Sequence, residues 1–204
     1  MKKFVVTFLF SLLTIVAFSD NVMDTYRMSY YGNRTWKIEA SEPIDGKFNW
    51  YIQVAGNKPN DIVYAWITSE DVKYFINKLQ EIKKAYQYCS DTLAYHNNNA
   101  RFSKISRYCE NVDIKFSLPF FFNYNGKTHL TNTTKLTITC MKPNFQDPML
   151  VIIHSKIKPY NFEQCKWGKE AVMVFKNPRE IDDLINLLDN NKVFEYYNKK
   201  KSDK

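Results

Sequence analysis

Twice along this chain an apolar, strand-like run leads through a capping residue into an amphipathic helix, and the two passages match position by position. The first runs from Asp61 to Trp66, through Ile67 and Thr68, into Ser69–Leu79. The second runs from Glu170 to Phe175, through Lys176 and Asn177, into Pro178–Leu188. Val63 matches Val172, Trp66 matches Phe175, and Ile76 with Asn77 matches Ile185 with Asn186. Thr68 and Asn177 are N-cap residues with an acid, Asp71 or Glu180, three positions on, the spacing of a capping box. Pro178 suits the first helical position, where a missing N–H costs nothing. Val72, Phe75, Ile76, Leu79, Ile82 and Tyr86 form one helical stripe; Ile181, Leu184, Ile185 and Leu188 form the other. Each stripe has to be buried against a sheet. The alternative is chance similarity, since short periodic segments resemble one another easily.

Upstream of each unit lie further strands. Thr35–Ala40 and Lys47–Ala55 flank a turn with Asp45 and Gly46 at its centre. Val112–Phe116, Pro119–Tyr124, Lys135–Met141 and Leu150–Ile157 precede the second unit. Runs of strands each closed by a helix predict an α+β fold: mostly antiparallel sheet, two packing helices, and pseudo-duplicated β-β-β-α halves. The first half covers residues 20–95, a polar connector 96–111, and the second half 112–192. The halves are expected to form one compact unit, sharing a sheet or docked as two lobes.

The stretch from Phe120 to Tyr124 and the helix Asn177-Pro178-Arg179-Glu180-Ile181-Asp182-Asp183-Leu184-Ile185 resemble a family of secreted bacterial proteins without an assigned activity. Thr68–Leu79 fits the same helix pattern. The resemblance implies the architecture and lends no functional residue.

Met1-Lys2-Lys3 is a positive start, Phe4 to Phe18 an uncharged and mostly apolar run, and Ala17-Phe18-Ser19 supplies small residues for a cut before Asp20. Residues 1–19 are therefore expected to be a cleavable signal peptide, and the mature chain to be secreted or periplasmic. A membrane anchor is the alternative. It is disfavoured because Asp20, Asp24 and Arg27 follow at once and the run falls short of a ~20-residue span. No later run has membrane length, so no integral span is expected in the mature chain.

The net charge of +8 suggests an anionic partner at first sight. Lys2 and Lys3 leave with the signal, however, and Lys199, Lys200, Lys201 and Lys204 sit in a basic tail, residues 193–204, expected to be solvated and frayed. Only five of the 29 basic residues are arginine, the side chain that reads phosphates and bases bidentately. No nucleic-acid partner is expected.

Four cysteines remain after export: Cys89, Cys109, Cys140 and Cys165. An even number in an oxidising compartment predicts two disulfides, with three possible connectivities. Cys89–Cys109 and Cys140–Cys165 are favoured, because each pair brackets one irregular segment. Zinc is the alternative, but there is no Cys-x-x-Cys and His96, His129 and His154 are scattered, so neither a metal nor another cofactor is expected.

No linear motif carries catalysis. There is no Gly-x-Ser-x-Gly elbow, and His154 and Ser155 are adjacent on a strand, where neighbouring side chains point to opposite faces. The balance falls against an enzyme and towards a binding module for a protein or a glycan. Tyr30, Tyr31 and Trp36 are the candidate surface aromatics, because rigid rings anchor partners or stack on sugars. A hydrolase whose acid and base converge from separate strands is the rival reading.

Overall fold

The computed structural model describes residues 21–57, 61–99, 107–124, 127–131, 133–144, 147–157 and 169–203. The signal-like segment and Cys165 lie outside these described residues. The first half opens with β1 (Val22–Arg27), β2 (Thr35–Ala40), β3 (Asn49–Ala55) and β4 (Ile62–Thr68), each antiparallel to the next. Between β2 and β3 the chain reverses at Ile44–Lys47, where Asp45 and Gly46 both take positive φ, 51° and 75°. That is the mirror-image turn that Asp-Gly favours.

Helix α1 (Val72–Asn99) follows, then β5 (Tyr108–Val112), the short β6 (Ser117–Leu118), β7 (Phe120–Tyr124), β8 (Lys127–Leu130) and the short β9 (Thr134–Lys135). The chain continues through β10 (Thr137–Lys142), β11 (Leu150–Ile157) and β12 (Lys169–Phe175). It ends in α2 (Pro178–Leu187) and α3 (Asn190–Ser202). β6 and β9 pair with each other; all the other strands belong to one sheet in the order β5-β10-β11-β12-β3-β4-β7-β8, with β1 and β2 branching from β3. Every described pairing is antiparallel.

The two halves share this sheet, and the join is narrow. β12 meets β3 only at Val172 and Ala55, because β2 takes over the same edge of β3 from Ile52 onward. Beyond the join, the Val174 N–H donates to Met28 Sδ at 3.4 Å and the Lys176 N–H to Glu180 Oε2 at 2.7 Å. Glu180 also accepts from the backbone N–H and the hydroxyl of Ser29, so the segment after β1 is tied to the start of α2. Backbone donors that lost a strand partner thus find side-chain acceptors, as burial demands.

One apolar cluster gathers residues from all three helices and alternate positions of the strands. Val72, Phe75, Leu79, Ile82, Tyr86, Cys89 and Leu93 run down one side of α1, and Ile181, Leu184 and Leu188 down α2. Both caps form as the spacing predicts. Thr68 Oγ1 accepts from the Asp71 N–H at 3.1 Å, and Asn177 Oδ1 from the Glu180 N–H at 3.2 Å. The helical matches hold in phase, since Val72, Phe75 and Leu79 are buried as are Ile181, Leu184 and Leu188. The strands do not. Val63, Ala65 and Ile67 of β4 and Ala171, Met173 and Phe175 of β12 enter the core, whereas Trp66 is only half-buried. The sequence match of Trp66 with Phe175 is therefore one residue out of phase, and in a strand one residue reverses the face. The second unit has one more residue, Lys176, between its last inward side chain, Phe175, and its cap, Asn177, than the first has between Ile67 and Thr68.

The strand expected over Val112–Phe116 ends at Val112, the last residue of β5, and residues 113–116 are irregular before β6. Three other expectations are revised. Asn190–Ser202 is helical rather than frayed: Val193 and Tyr197 are buried, and Tyr197 Oη donates to the Ala40 carbonyl at 2.8 Å. The connector is shorter than expected, since α1 extends to Asn99 and β5 begins at Tyr108. Cys89, Cys109 and Cys140 are all free thiols, and Cys89 and Cys109 face apart. Glu110 of β5 points to the core side, where it meets Cys89, so its neighbour Cys109 points outward and is exposed.

Candidate functional site

The face of the sheet turned away from α1 and α2 carries a row of aromatic and polar side chains. In β2 the residues Trp36, Ile38 and Ala40 enter the core, so Lys37 and Glu39 lie on the other side. Glu39 pairs across the strands with Tyr51, and Tyr51 with Trp66. In the next row Gln53 pairs with Tyr64, Tyr64 with Phe121, and Phe121 with Leu130. The Tyr64 and Phe121 rings stack at 4.7 Å and 1°, with Tyr51 edge-on to Phe121 at 5.5 Å. Gln53 locks its row: Oε1 accepts from the Lys37 N–H at 3.0 Å, and Nε2 donates to Tyr64 Oη at 2.9 Å.

Two polar atoms in the first row have no partner. Glu39 is 2% exposed and its Oε2 is buried without a hydrogen bond. Trp66 Nε1, on the far side of Tyr51, is likewise buried and unbonded. Unsatisfied buried groups of this kind are few in native folds. Burial raises the Glu39 carboxyl above the usual glutamate range, against a smaller lowering by the Lys37 charge. Tyr64 is raised by burial too, opposed by its bond from Gln53 and assisted by the Glu39 charge, which places the phenol within electrostatic reach of the carboxylate. At the Trp66 end, between β4 and the start of α1, lies a cavity of ≈ 320 Å³ lined by Trp66, Ile67, Asp71, Tyr74, Phe75 and Leu118 among others.

The aromatics singled out in the sequence divide. Tyr30 stands out from a 3-10 turn, Ser29–Tyr31, with 49% of its surface exposed. Tyr31 is half-buried against Tyr30 and Trp36, at ring separations of 5.2 and 5.6 Å, and burial pushes its phenol up to about 12. Trp36 is not a surface residue. It is fully buried on the core side of β2, with the Arg34 guanidinium 4.4 Å from its ring centroid. Trp50 is buried as well, its Nε1 donating to Asn190 Oδ1 at 3.0 Å. Neither ring can carry a sugar.

His154 does lie beside an acid. Its Nε2 is 3.5 Å from Glu170 Oε1, across the outer face of β11 and β12, with both side chains partly exposed. Ser155 points to the opposite side, where its hydroxyl donates to the Lys135 carbonyl at 2.9 Å. Among the described residues, no three His, Cys, Asp or Glu side chains converge as metal ligands. Sequence reasoning passed over Glu39, Tyr64 and Trp66. A glutamate between two apolar residues in a strand reads as a solvated outward position, and only the cross-strand register reveals its ring neighbours. Comparison with known proteins found no matching family model, no matching curated protein and no matching solved structure.

Proposed function

We propose that the chain is an exported binding module, secreted or periplasmic, that takes an extended segment of a partner protein on the Glu39–Tyr51–Trp66 row. The observation that carries this reading is the buried Glu39 Oε2, without a hydrogen bond, beside that ring row. A bare acceptor at Glu39 and a bare donor at Trp66 are the complement of peptide groups, which offer N–H and C=O along one backbone. Glu39 and Trp66 sit two strands apart, about 10 Å, a distance that about three extended residues cover. The cavity beyond Trp66 lies at the lower end of ligand-pocket volumes and has room for one side chain of such a segment. Since both polar atoms are shielded, the ligand displaces what lies over them. Export is supported by the signal-like pattern of residues 1–19, and no helix among the described residues is long and apolar enough to cross a membrane.

Titration of the tryptophan fluorescence with acetylated, amidated tripeptides bearing one aromatic or branched side chain tests the reading. Saturable binding is expected, weakened about tenfold or more in Glu39→Gln, which removes a charge-assisted bond. A chain that binds chito-oligosaccharides and no peptide, or peptides equally well with and without Glu39, contradicts it.

A hydrolase is the second reading, favoured by the His154–Glu170 pair alone. It requires turnover of a chromogenic ester or peptide substrate that Glu170→Gln abolishes; absence of turnover removes it.

A further inference from the structure

We infer that Cys89 and Cys140, both free thiols in this structure, are the pair that oxidation joins, linking the middle of α1 to β10 through the core. Both are buried in the same apolar cluster, Cys89 on the inward stripe of α1 and Cys140 on the inward face of β10. Two independent contacts bring them together. Cys140 Sγ lies 3.9 Å from the carbonyl of Ala85, one helical turn before Cys89 on the same side of α1. Cys89 Sγ lies 3.8 Å from Glu110 Oε2, and Glu110 is the residue directly opposite Cys140 in the β5–β10 ladder. Each thiol therefore touches a group that neighbours the other. Burial raises the Cys140 thiol first, with the nearby Cys89 thiol adding to it. Cys109 is placed otherwise, opposite Met141 on the outer face and exposed. Of the three connectivities open to four cysteines, the one containing Cys89–Cys140 leaves Cys109 with Cys165, which lies outside the described residues.

The chemistry needs an oxidant of the disulfide class, and for its supply in the cell the inference rests on the export reading. Cys89 gives up its proton to solvent, and the thiolate attacks a sulfur of the oxidant and expels one thiolate. Cys140 then loses its proton, attacks the Cys89 sulfur of the mixed disulfide and expels the second. Two cysteine thiols lose two electrons; one oxidant disulfide gains them and, with the two protons, leaves as two thiols. Because both sulfurs are buried in the folded chain, the bond forms while α1 is still docking onto β10.

The test is peptide mapping of chain refolded from the reduced, denatured state in an oxidised/reduced glutathione buffer. Trypsin separates the cysteines, since Arg101, Lys115 and Lys156 lie between them in order. A tryptic pair linking the Cys89 and Cys140 peptides is expected, vanishing on reduction. In Cys109→Ser, which keeps only this bridge, reduction should also lower the thermal midpoint by about 10 °C. In reduced, folded chain, iodoacetamide should label Cys109 well ahead of Cys89 and Cys140. Linked Cys89–Cys109 or Cys140–Cys165 peptides, or four alkylatable thiols after oxidative refolding, overturn the pairing. The same map on chain recovered from cells separates this from the export reading: thiols free in the cell but linked in the refolded chain would refute export alone.

Discussion

Glu39 is buried where its charge has no hydrogen bond at Oε2, and that burial bears on stability as well as on the proposed binding. A carboxyl raised by burial is one that the folded state keeps protonated at pH values where the unfolded chain has released the proton. Linkage then runs opposite to that of a salt-bridged acid. Stability is greatest below the ordinary glutamate pKa and falls as pH rises from there through the raised folded value. Glu39→Gln should therefore stabilise the chain by about 1 kcal/mol at pH 7, the gain disappearing near pH 3–4, in denaturant titrations run across that range. A variant that is more stable yet binds less well is the signature of a residue kept for a site. At this scale the sequence was partly legible. Cys89 continues the spacing Val72, Phe75, Leu79, Ile82, Tyr86, so its inward direction could be counted off the helix. The same kind of count misplaced Trp36, because alternation along β2 says that Trp36 and Glu39 oppose each other and leaves open which of them faces the core.

Elements were legible in proportion to the length of their apolar pattern. α1 and α2 announce themselves by caps and stripes, and β2, β3, β4, β7, β10, β11 and β12 by β-branched and aromatic runs. β5 carries a glutamate and an asparagine among its five residues and β8 is only four long, too little for periodicity to register. α3 hides behind its lysines. Its burial rests on Val193 and Tyr197, one turn apart, while Lys199, Lys200 and Lys201 fill the last turn, where positive charge complements the helix dipole. The helix is held by Asn190 as well, whose Nδ2 donates to the Ser69 carbonyl at 3.0 Å. Val193→Ala should cost about 2 kcal/mol in equilibrium unfolding, against less than about 0.5 for Lys199→Ala. Equal, negligible effects would mean that the helix does not dock.

Across the whole molecule, the two strand–helix halves form one sheet rather than two lobes, and no periodicity could have foretold it. The single pair Val172–Ala55, with Met28 and Glu180 capping the donors beyond it, decides the matter. With the halves joined edge to edge, Glu39, Tyr51 and Trp66 stand in one cross-strand row on the face turned away from α1 and α2. The binding account depends on that surface being poised for a donor. Carbon-13 NMR of the Glu39 carboxyl, followed against pH with and without a saturating tripeptide, reads this directly. The account predicts titration above the usual glutamate range in the free chain and a fall towards or below that range once a ligand N–H bonds the carboxylate. A Glu39 that titrates as an ordinary surface glutamate, unmoved by any peptide, contradicts it.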